Sequence, residues 1–551
     1  LADTPALRKA RGAFFTPPEL SRFVADWAVR SADDRVLEPS CGEAEFLVAA
    51  GARFRALGAG DLVAGGRLQG VELHPASAAT AAERLRRAGI SAEIEVADFF
   101  DVAPAPRFDA VIGNPPYVRY QQFSGAARRK GLEAALSQGV RLTGLASAWA
   151  PFTVHAARFL NPRGRLGLVL PAELLTVNYA APLREFLLRR FARVRLIAFE
   201  TRVFPEVLEE VVLLLAEGSG GAAGFELVHL RGVDELATVD GETPDAWTPE
   251  HAEAKWTAAL LNEPDSAEYH ALVDGASLAP LSTWGETYLG GVTGANTYFA
   301  LTREAVNALA LDDGELVPIS PPGSRHFGGV SFTRDDWRRL ADAGARTLLF
   351  RPDPARLSDA AARYVQAGER DGVHHAYKCR IRDPWWRVPL VRVPDLFLTY
   401  MSHLHPRMVS NHAGVHHLNS VHGVALRNDV RAIGRRLLPL AALNTITLLS
   451  AELVGRAYGG GILKLEPREA SRWIVPSAEL VTRAAEGLDS VRAAASANPS
   501  MTLDEIVCRV DRVLLESDLG VSADVLHRLR GARAALVKRR TSRAGGARAA
   551  R

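Results

Sequence analysis

The stretch DAVIGNPPYVRYQ, residues 109–121, decides how this chain is read. A short apolar run ends at Gly113 and passes at once into Asn114-Pro115-Pro116-Tyr117. An apolar run closed by turn formers reads as a buried strand. The two prolines fix the turn and remove two amide donors. Two acceptors remain, the Asn114 side-chain oxygen and the Pro115 carbonyl, beside the flat ring of Tyr117. An amino group on an aromatic ring such as adenine is a poor nucleophile, because its lone pair is delocalised. Two acceptors holding its hydrogens draw that pair out of conjugation, which suits in-line transfer to the nitrogen. Taken alone, the tetrapeptide is also a strand-ending turn with a core tyrosine. Its place in a series of strands favours the chemical reading.

That series runs outward in both directions. Apolar runs at 35–39, 68–73, 92–97, 108–112, 165–170, 194–199 and 210–215 read as strands, the last two as a hairpin. Helical periodicity at 43–57, 76–88, 146–160 and 181–190 lies between most of them. Strand, crossover helix, strand predicts an α/β domain: a Rossmann-like, mostly parallel, seven-stranded sheet with helices on both faces. Three more strand ends carry polar groups. VLEPSCGEAEFL (36–47) passes from strand through a Pro/Ser/Gly loop into a helix, so the loop residues Glu38, Pro39, Ser40, Cys41 and Gly42 border a site that backbone amides and a helix N-terminus can face. A strand ends within GVELHP (70–75), with Glu72 at its C-terminal end, placed to accept from a pair of ribose hydroxyls. ADFFD (97–101) offers Asp98 to an adenine amine and Phe99 to its ring.

These motifs, in this order, resemble those of the gamma-class, Taq-type DNA adenine-N6 methyltransferases. GAFFTPPELSRFVADW (12–27) looks like that family's N-terminal cofactor motif, which implies that Phe15 and Thr16 lie beside S-adenosylmethionine. Thr16-Pro17-Pro18-Glu19 also reads as a capped helix start, with Thr16 as N-cap. GRLGLVLPAELL (164–175) matches the strand after the catalytic loop. VFPEVLEEVVLLL (203–215) resembles the motif whose phenylalanine sandwiches a flipped base, here Phe204. The resemblance covers about residues 12–217. It implies methyl transfer from S-adenosylmethionine, without a metal, to adenine N6 in double-stranded DNA, as the modification arm of a restriction-modification or related defence system. A separate endonuclease or defence subunit is then an expected partner. One departure stands out: where the family often has Cys-Gly-x-Gly, this chain has Cys41-Gly42-Glu43-Ala44.

The expected domains are residues 1–240 for cofactor and catalysis, 245–480 for target recognition with mixed α+β structure, and 481–551 as a helical segment with a basic tail. The Gly/Ala-rich break 218–224 marks the first boundary region. LGGVTGANTYFAL (289–301), KCRIRDPWWRVP (378–389), HPRMVSNHAGVHHLNSVHGVAL (405–426) and YGGGILKLEPREASRWIVP (458–476) loosely resemble recognition-domain segments of the family. Arg380, Arg382 and Arg387, with Arg119 just past the catalytic turn, are candidate DNA contacts. Trp385 and Trp386 read as packing residues. The histidines at 403, 405, 412, 416, 417 and 422 match no common zinc spacing and read as neutral polar or core residues.

Composition excludes little. Three scattered cysteines among 551 residues give neither a disulfide framework nor a zinc pair, and the net charge of +3 is nearly neutral. No apolar run is long enough to span a bilayer and no signal peptide is evident, so a cytoplasmic protein is expected. The basic stretch 528–551 reads as a solvated, frayed tail. Eleven residues precede the first motif and no nuclease-like Asp, Glu-x-Lys constellation is found, so a methylase without a fused nuclease is expected. Two alternatives stay open: a methylase of RNA or of protein glutamine, and a non-catalytic DNA-specificity subunit.

Overall fold

The structure, a computed structural model, describes residues 16–59, 66–199, 201, 203–204, 210–241, 245–249, 255–261, 263–458 and 461–541. It divides into two compact units, Leu1–Asn262 and Glu263–Arg551.

The first unit is built on one sheet. Its strands are β1 (Val36–Glu38), β2 (Leu68–Glu72), β3 (Glu93–Val96), β4 (Phe108–Gly113), β5 (Leu160–Pro171), β6 (Arg193–Phe199), β7 (Val211–Glu217), β8 (Phe225–Leu230) and β9 (Asp245–Trp247). They lie in the order β3-β2-β1-β4-β5-β7-β6-β8-β9. The pairs from β3 to β5 are parallel, and β7 runs antiparallel to both β5 and β6. The expected hairpin of the sixth and seventh strands is therefore present.

The sheet has two strands more than the seven expected. Beyond the Gly/Ala-rich break, β8 pairs parallel with β6 and β9 closes the edge. In β8, Phe225, Leu227, Val228 and Leu230 are buried. A single strand followed by 3₁₀ turns carries no crossover helix, and that helix was the signal that marked the others.

Helices α1 (Pro18–Ala28), α2 (Glu45–Ala56), α3 (Pro75–Arg87), α4 (Gly125–Leu136), α5 (Trp149–Ala157) and α6 (Ala181–Arg190) connect and cover the strands. Central β1 is buried along its whole length, as a parallel strand covered on both faces must be. Helix α1 buries Leu20, Val24, Ala25 and Ala28, a stripe at helical spacing. It approaches β5 so closely that a Cβ on Gly167 would lie 2.7 Å from Val24 Cγ1. Thr16 is not its N-cap: the cap position is Pro17, without a side-chain cap bond, and the helix begins at Pro18. Proline at the first helical position removes one of the donors a threonine hydroxyl could have capped.

The second unit holds a five-stranded sheet in the order Gly285–Leu289, His422–Leu426, Leu396–Leu398, Met408–Asn411, Ser331–Phe332, with smaller sheets beside it. Its last long helix, Ala523–Thr541, is not a frayed tail. Leu526, Leu529 and Leu536 are buried, and Arg540 is 3% exposed in an ion pair with Glu452. The expectation of a solvated segment from 528 fails there because every third or fourth residue of this stretch is apolar or paired inward; 542–551 lie outside the described residues. No single helix among the described residues is long and apolar enough to cross a membrane.

Candidate active site

At the C-terminal ends of the parallel strands, four loops converge on a cavity of about 420 Å³. Thr16, Glu38, Pro39, Ser40, Cys41, Gly42, Glu72, Asp98, Phe99, Asn114 and Pro116 line it. This is where open α/β sheets bind ligands. The expectation for Phe15 lies outside the described residues.

The loop after β1 is held from below and from the side. Glu38 is buried, and Leu47 N–H in the first turn of α2 donates to its Oε2 at 3.0 Å. Burial pushes the Glu38 carboxyl well above its usual range, against the pull of backbone donors at Leu47 and Phe46. Cys41 N–H donates to the Val71 carbonyl at 2.9 Å, tying the loop to β2, and burial pushes its thiol up. Ala44, at the N-cap of α2, has φ 63°. Its methyl is fully buried in the core and takes no part in lining the cavity.

Glu72 ends β2. Gly42 N–H donates to its Oε2 and His74 N–H to its Oε1, both at 2.9 Å. A carboxylate oxygen has two lone pairs, so each still has one for a ligand hydroxyl. Asp98 follows β3. Phe100 N–H donates to its Oδ1 at 3.1 Å, while Lys130 Nζ stands 3.4 Å from Oδ2 and 2.5 Å from Asp101. Phe99 packs with ring centroids 4.8 Å from Phe152 and 5.1 Å from Phe159. The buried His155 ring sits against it, its pKa lowered to about 4 by burial.

Beyond β4, Asn114 Nδ2 donates to Thr16 Oγ1 at 3.3 Å. Asn114 Oδ1 is buried and has no hydrogen-bond partner among the described residues. An unmet buried acceptor is costly, and this oxygen has the capacity to take one more donor. Tyr117 is 7% exposed and its hydroxyl donates to the Val169 carbonyl on β5 at 3.0 Å. Phe204 is 5% exposed. Neither ring lines the cavity.

Sequence reasoning missed Phe123 and Phe152, which supply apolar wall, and Arg84, which pairs with Glu45 at the same cavity. The helices that carry Arg84 and Phe152 hold no motif, and Phe123 lies in the turn between the catalytic stretch and α4. The uniform burial of α5, of which Phe152 is part, was the one available hint. Elsewhere, Arg119 and Arg380 are exposed. Arg382 donates to the Val292 and Thr293 carbonyls, and Arg387 to the Pro352 carbonyl. Those two guanidinium groups brace the fold rather than project from it. Of the grouped histidines, His416 bonds the Val391 carbonyl and His422 the Leu465 carbonyl, while His405 and His417 are buried.

An order of β3-β2-β1-β4-β5-β7-β6 with β7 reversed, and an acid-lined cavity at the strand ends, define a class I, S-adenosylmethionine-type methyltransferase. The cavity fits that cofactor: carboxylates suit its hydroxyls, amines and sulfonium, and Phe99 suits its ring. Comparison with known proteins goes further. Residues 77–204 match the model of the Eco57I restriction-modification methylase, and 253–515 that of the C-terminal domain of type II methyltransferase M.Eco57I. The chain is 26% identical over 487 residues to type II methyltransferase M.XamI of Xanthomonas campestris pv. amaranthicola, covering 85% of each. It is 21% identical to M.AccI of Acinetobacter calcoaceticus, over 74% of this chain and 77% of that one. The type IIL restriction-modification enzyme MmeI, solved with DNA, shares the fold at TM-score 0.57 and 12% identity, over 94% of this chain and 74% of MmeI. The chain belongs to this family of restriction-modification DNA methyltransferases.

Proposed function

We propose that the protein methylates the N6 amino group of adenine in duplex DNA, at a base rotated out of the helix. The observation that carries this reading is Asn114 Oδ1, a buried acceptor with no partner among the described residues, in a proline-fixed turn that opens on the cavity. A stacked base pair hides the adenine amine, so the base has to leave the stack to reach such a turn. Asn114 Oδ1 and the Pro115 carbonyl then accept the two amine hydrogens. The nitrogen lone pair is freed from the ring, and the turn's rigidity means that little reorganisation accompanies the reaction. Neither acceptor is basic enough to keep the proton lost afterwards, which passes to solvent.

S-adenosylmethionine, held by Thr16, the 38–42 loop, Glu72, Asp98 and Phe99, supplies an electrophilic methyl group. Glu72 accepts from its ribose, and Asp98 from its adenine amine. Tyr117 and Phe204 are assigned to the faces of the flipped base. Both rings are covered in this structure, so that role requires the covering side chains to shift as the base enters. In the cell the protein is assigned to modification, with cleavage left to a companion nuclease.

The deciding experiment is transfer from labelled S-adenosylmethionine to duplex DNA, followed by nucleoside analysis. N6-methyladenine is the expected product. Label in cytosine, or label only in RNA or protein, overturns the reading.

A further inference from the structure

In the second unit, two segments far apart in sequence form one rigid knuckle. Arg382 Nη2 donates to the Val292 carbonyl at 3.0 Å and also to that of Thr293. Cys379 Sγ lies 3.6 Å from the same Thr293 carbonyl, and the Arg382 guanidinium stands 5.8 Å from the centroid of the Phe299 ring. Gly294, with φ 84°, comes so close that a Cβ there would lie 2.8 Å from Lys378 Cβ. Only glycine suits both that conformation and that approach. Cys379 and Arg382 thus pin the short helix Tyr377–Arg380 onto the 292–294 loop.

The other residues of the same turn face outward. Tyr377 is 64% exposed and Ile381 58%, and residues four apart share a helix face. Lys378 and Arg380 are exposed, with no carboxylate in ion-pair range among the described residues, whereas Arg387 and Arg392 nearby in sequence face Asp353 and Glu286. A fixed turn that exposes an aromatic and an aliphatic side chain between two uncompensated cations fits an anionic surface with apolar plates between its charges.

We propose that this knuckle docks on duplex DNA, with Lys378 and Arg380 on phosphates and Tyr377 and Ile381 against a base edge or wedged into a base step. The proposal rests on the DNA reading above and moves recognition away from Arg382, whose Nη2 is held by the Val292 and Thr293 carbonyls, and Arg387, whose Nη1 is held by the Pro352 carbonyl. Because the knuckle is pinned before DNA arrives, docking orders little further chain.

The test uses the full chain, a labelled random-sequence duplex for binding, and plasmid DNA for methyl transfer. Replacing Lys378 and Arg380 together by alanine should flatten the slope of log K against log salt by about 1.8, two phosphate contacts' worth. Replacing Tyr377 and Ile381 together by serine should raise KM for plasmid about tenfold and leave that slope unchanged. Hydrogen-exchange protection of the second unit's sheet and the urea unfolding midpoint should stay at the parent values in both, which excludes misfolding of the unit that carries the substitutions. A control replaces Arg303 and Arg338, both in exposed ion pairs, by alanine and should keep the parent slope. If the control flattens the slope equally, the effect is one of net charge and the proposal falls. If the parent methylates plasmid while both knuckle variants behave like it, the knuckle does not touch DNA and only this inference falls. If the parent neither binds nor methylates duplex DNA, the DNA reading falls with it.

Discussion

Asn114 divides its amide between two tasks. Its nitrogen is tied to Thr16, which sets the rotamer, and its oxygen is left open. Asn114→Ala removes an acceptor used most strongly as the amine rehybridises. The expected result is a kcat lower by about 10²- to 10³-fold, the range seen when one preorganised hydrogen-bond partner of a transition state is removed. The DNA dissociation constant should change little. Single-turnover methyl transfer with DNA titration separates the two, and a loss confined to KM would contradict the role. The polar positions of this site were legible in the sequence: Glu72 ends a strand, Asp98 and Asn114 follow one, and a strand end fixes where a side chain goes. The partners of Thr16 and Tyr117 were not legible. Thr16 reads locally as a cap, but Asn114, 98 residues away in sequence, takes its hydroxyl. Tyr117 reads either as a flat face for the base or as a core tyrosine, and local sequence does not show that the Val169 carbonyl on the neighbouring strand takes its hydroxyl. Both outcomes depend on strand neighbours that local spacing does not reveal.

Most strand-helix pairs of the first unit were readable, but α4, which follows β4, was not expected, and elements were less legible where the chain met itself through buried charge. The start of α2 shows how narrow the local tolerance is. A non-glycine residue in the left-handed region costs about 1–2 kcal/mol, and burial of a methyl group offsets about 0.8 kcal/mol of that at Ala44. Ala44→Gly should therefore shift stability by less than about 1 kcal/mol, whereas Ala44→Val, β-branched at positive φ, should destabilise by at least about 2 kcal/mol. Urea unfolding of the two variants decides it, and equal effects would refute the argument. The helix Ala523–Thr541 is fixed by a different device. Arg540 donates to Glu452 through two nitrogens at 2.9 and 2.8 Å, and to the His403 carbonyl at 3.0 Å. Arg540→Met leaves Glu452 buried without its ion-pair partner, a loss of about 3 kcal/mol, with the nearby Arg533 charge still facing the carboxylate. Adding Glu452→Gln should recover most of it. A double-mutant cycle by chemical denaturation measures the coupling, and additive losses would show the pair to be independent.

At the scale of the whole molecule, ionisation divides the two units. Burial lowers the pKa of His155 to about 4 in the first unit, and in the second lowers His326 and His405 to about 4 and His417 to about 3. It also lowers His412, His416 and His422 in the second unit. A histidine held neutral in the fold but free to charge when unfolded contributes stability that is full above its ordinary value of 6.5 and is lost as pH falls toward the folded value. The carboxyls pushed up by burial act in the opposite sense, since acid removes the penalty of keeping them folded. Among the described residues one such group lies in each unit, Glu38 and Asp511, so this opposing effect is not confined to either unit. The carboxylates held below their usual range, such as Glu226 and Glu466, stay ionised in both states until pH approaches 4.5. Between pH 6.5 and about 4.5 the histidines therefore dominate, and six of these seven lie in the second unit. Acid should loosen that unit first. Hydrogen exchange read by peptide at pH 7 and at pH 5, corrected for intrinsic rate, should show protection falling in the sheet containing His422–Leu426 while β1, β4 and β5 keep theirs. Replacing His417, the most shifted of the group, by glutamine should reduce the pH dependence of the second unit and leave that of the first unchanged. Uniform loss of protection across both units would mean that acid acts through overall charge rather than through these buried rings.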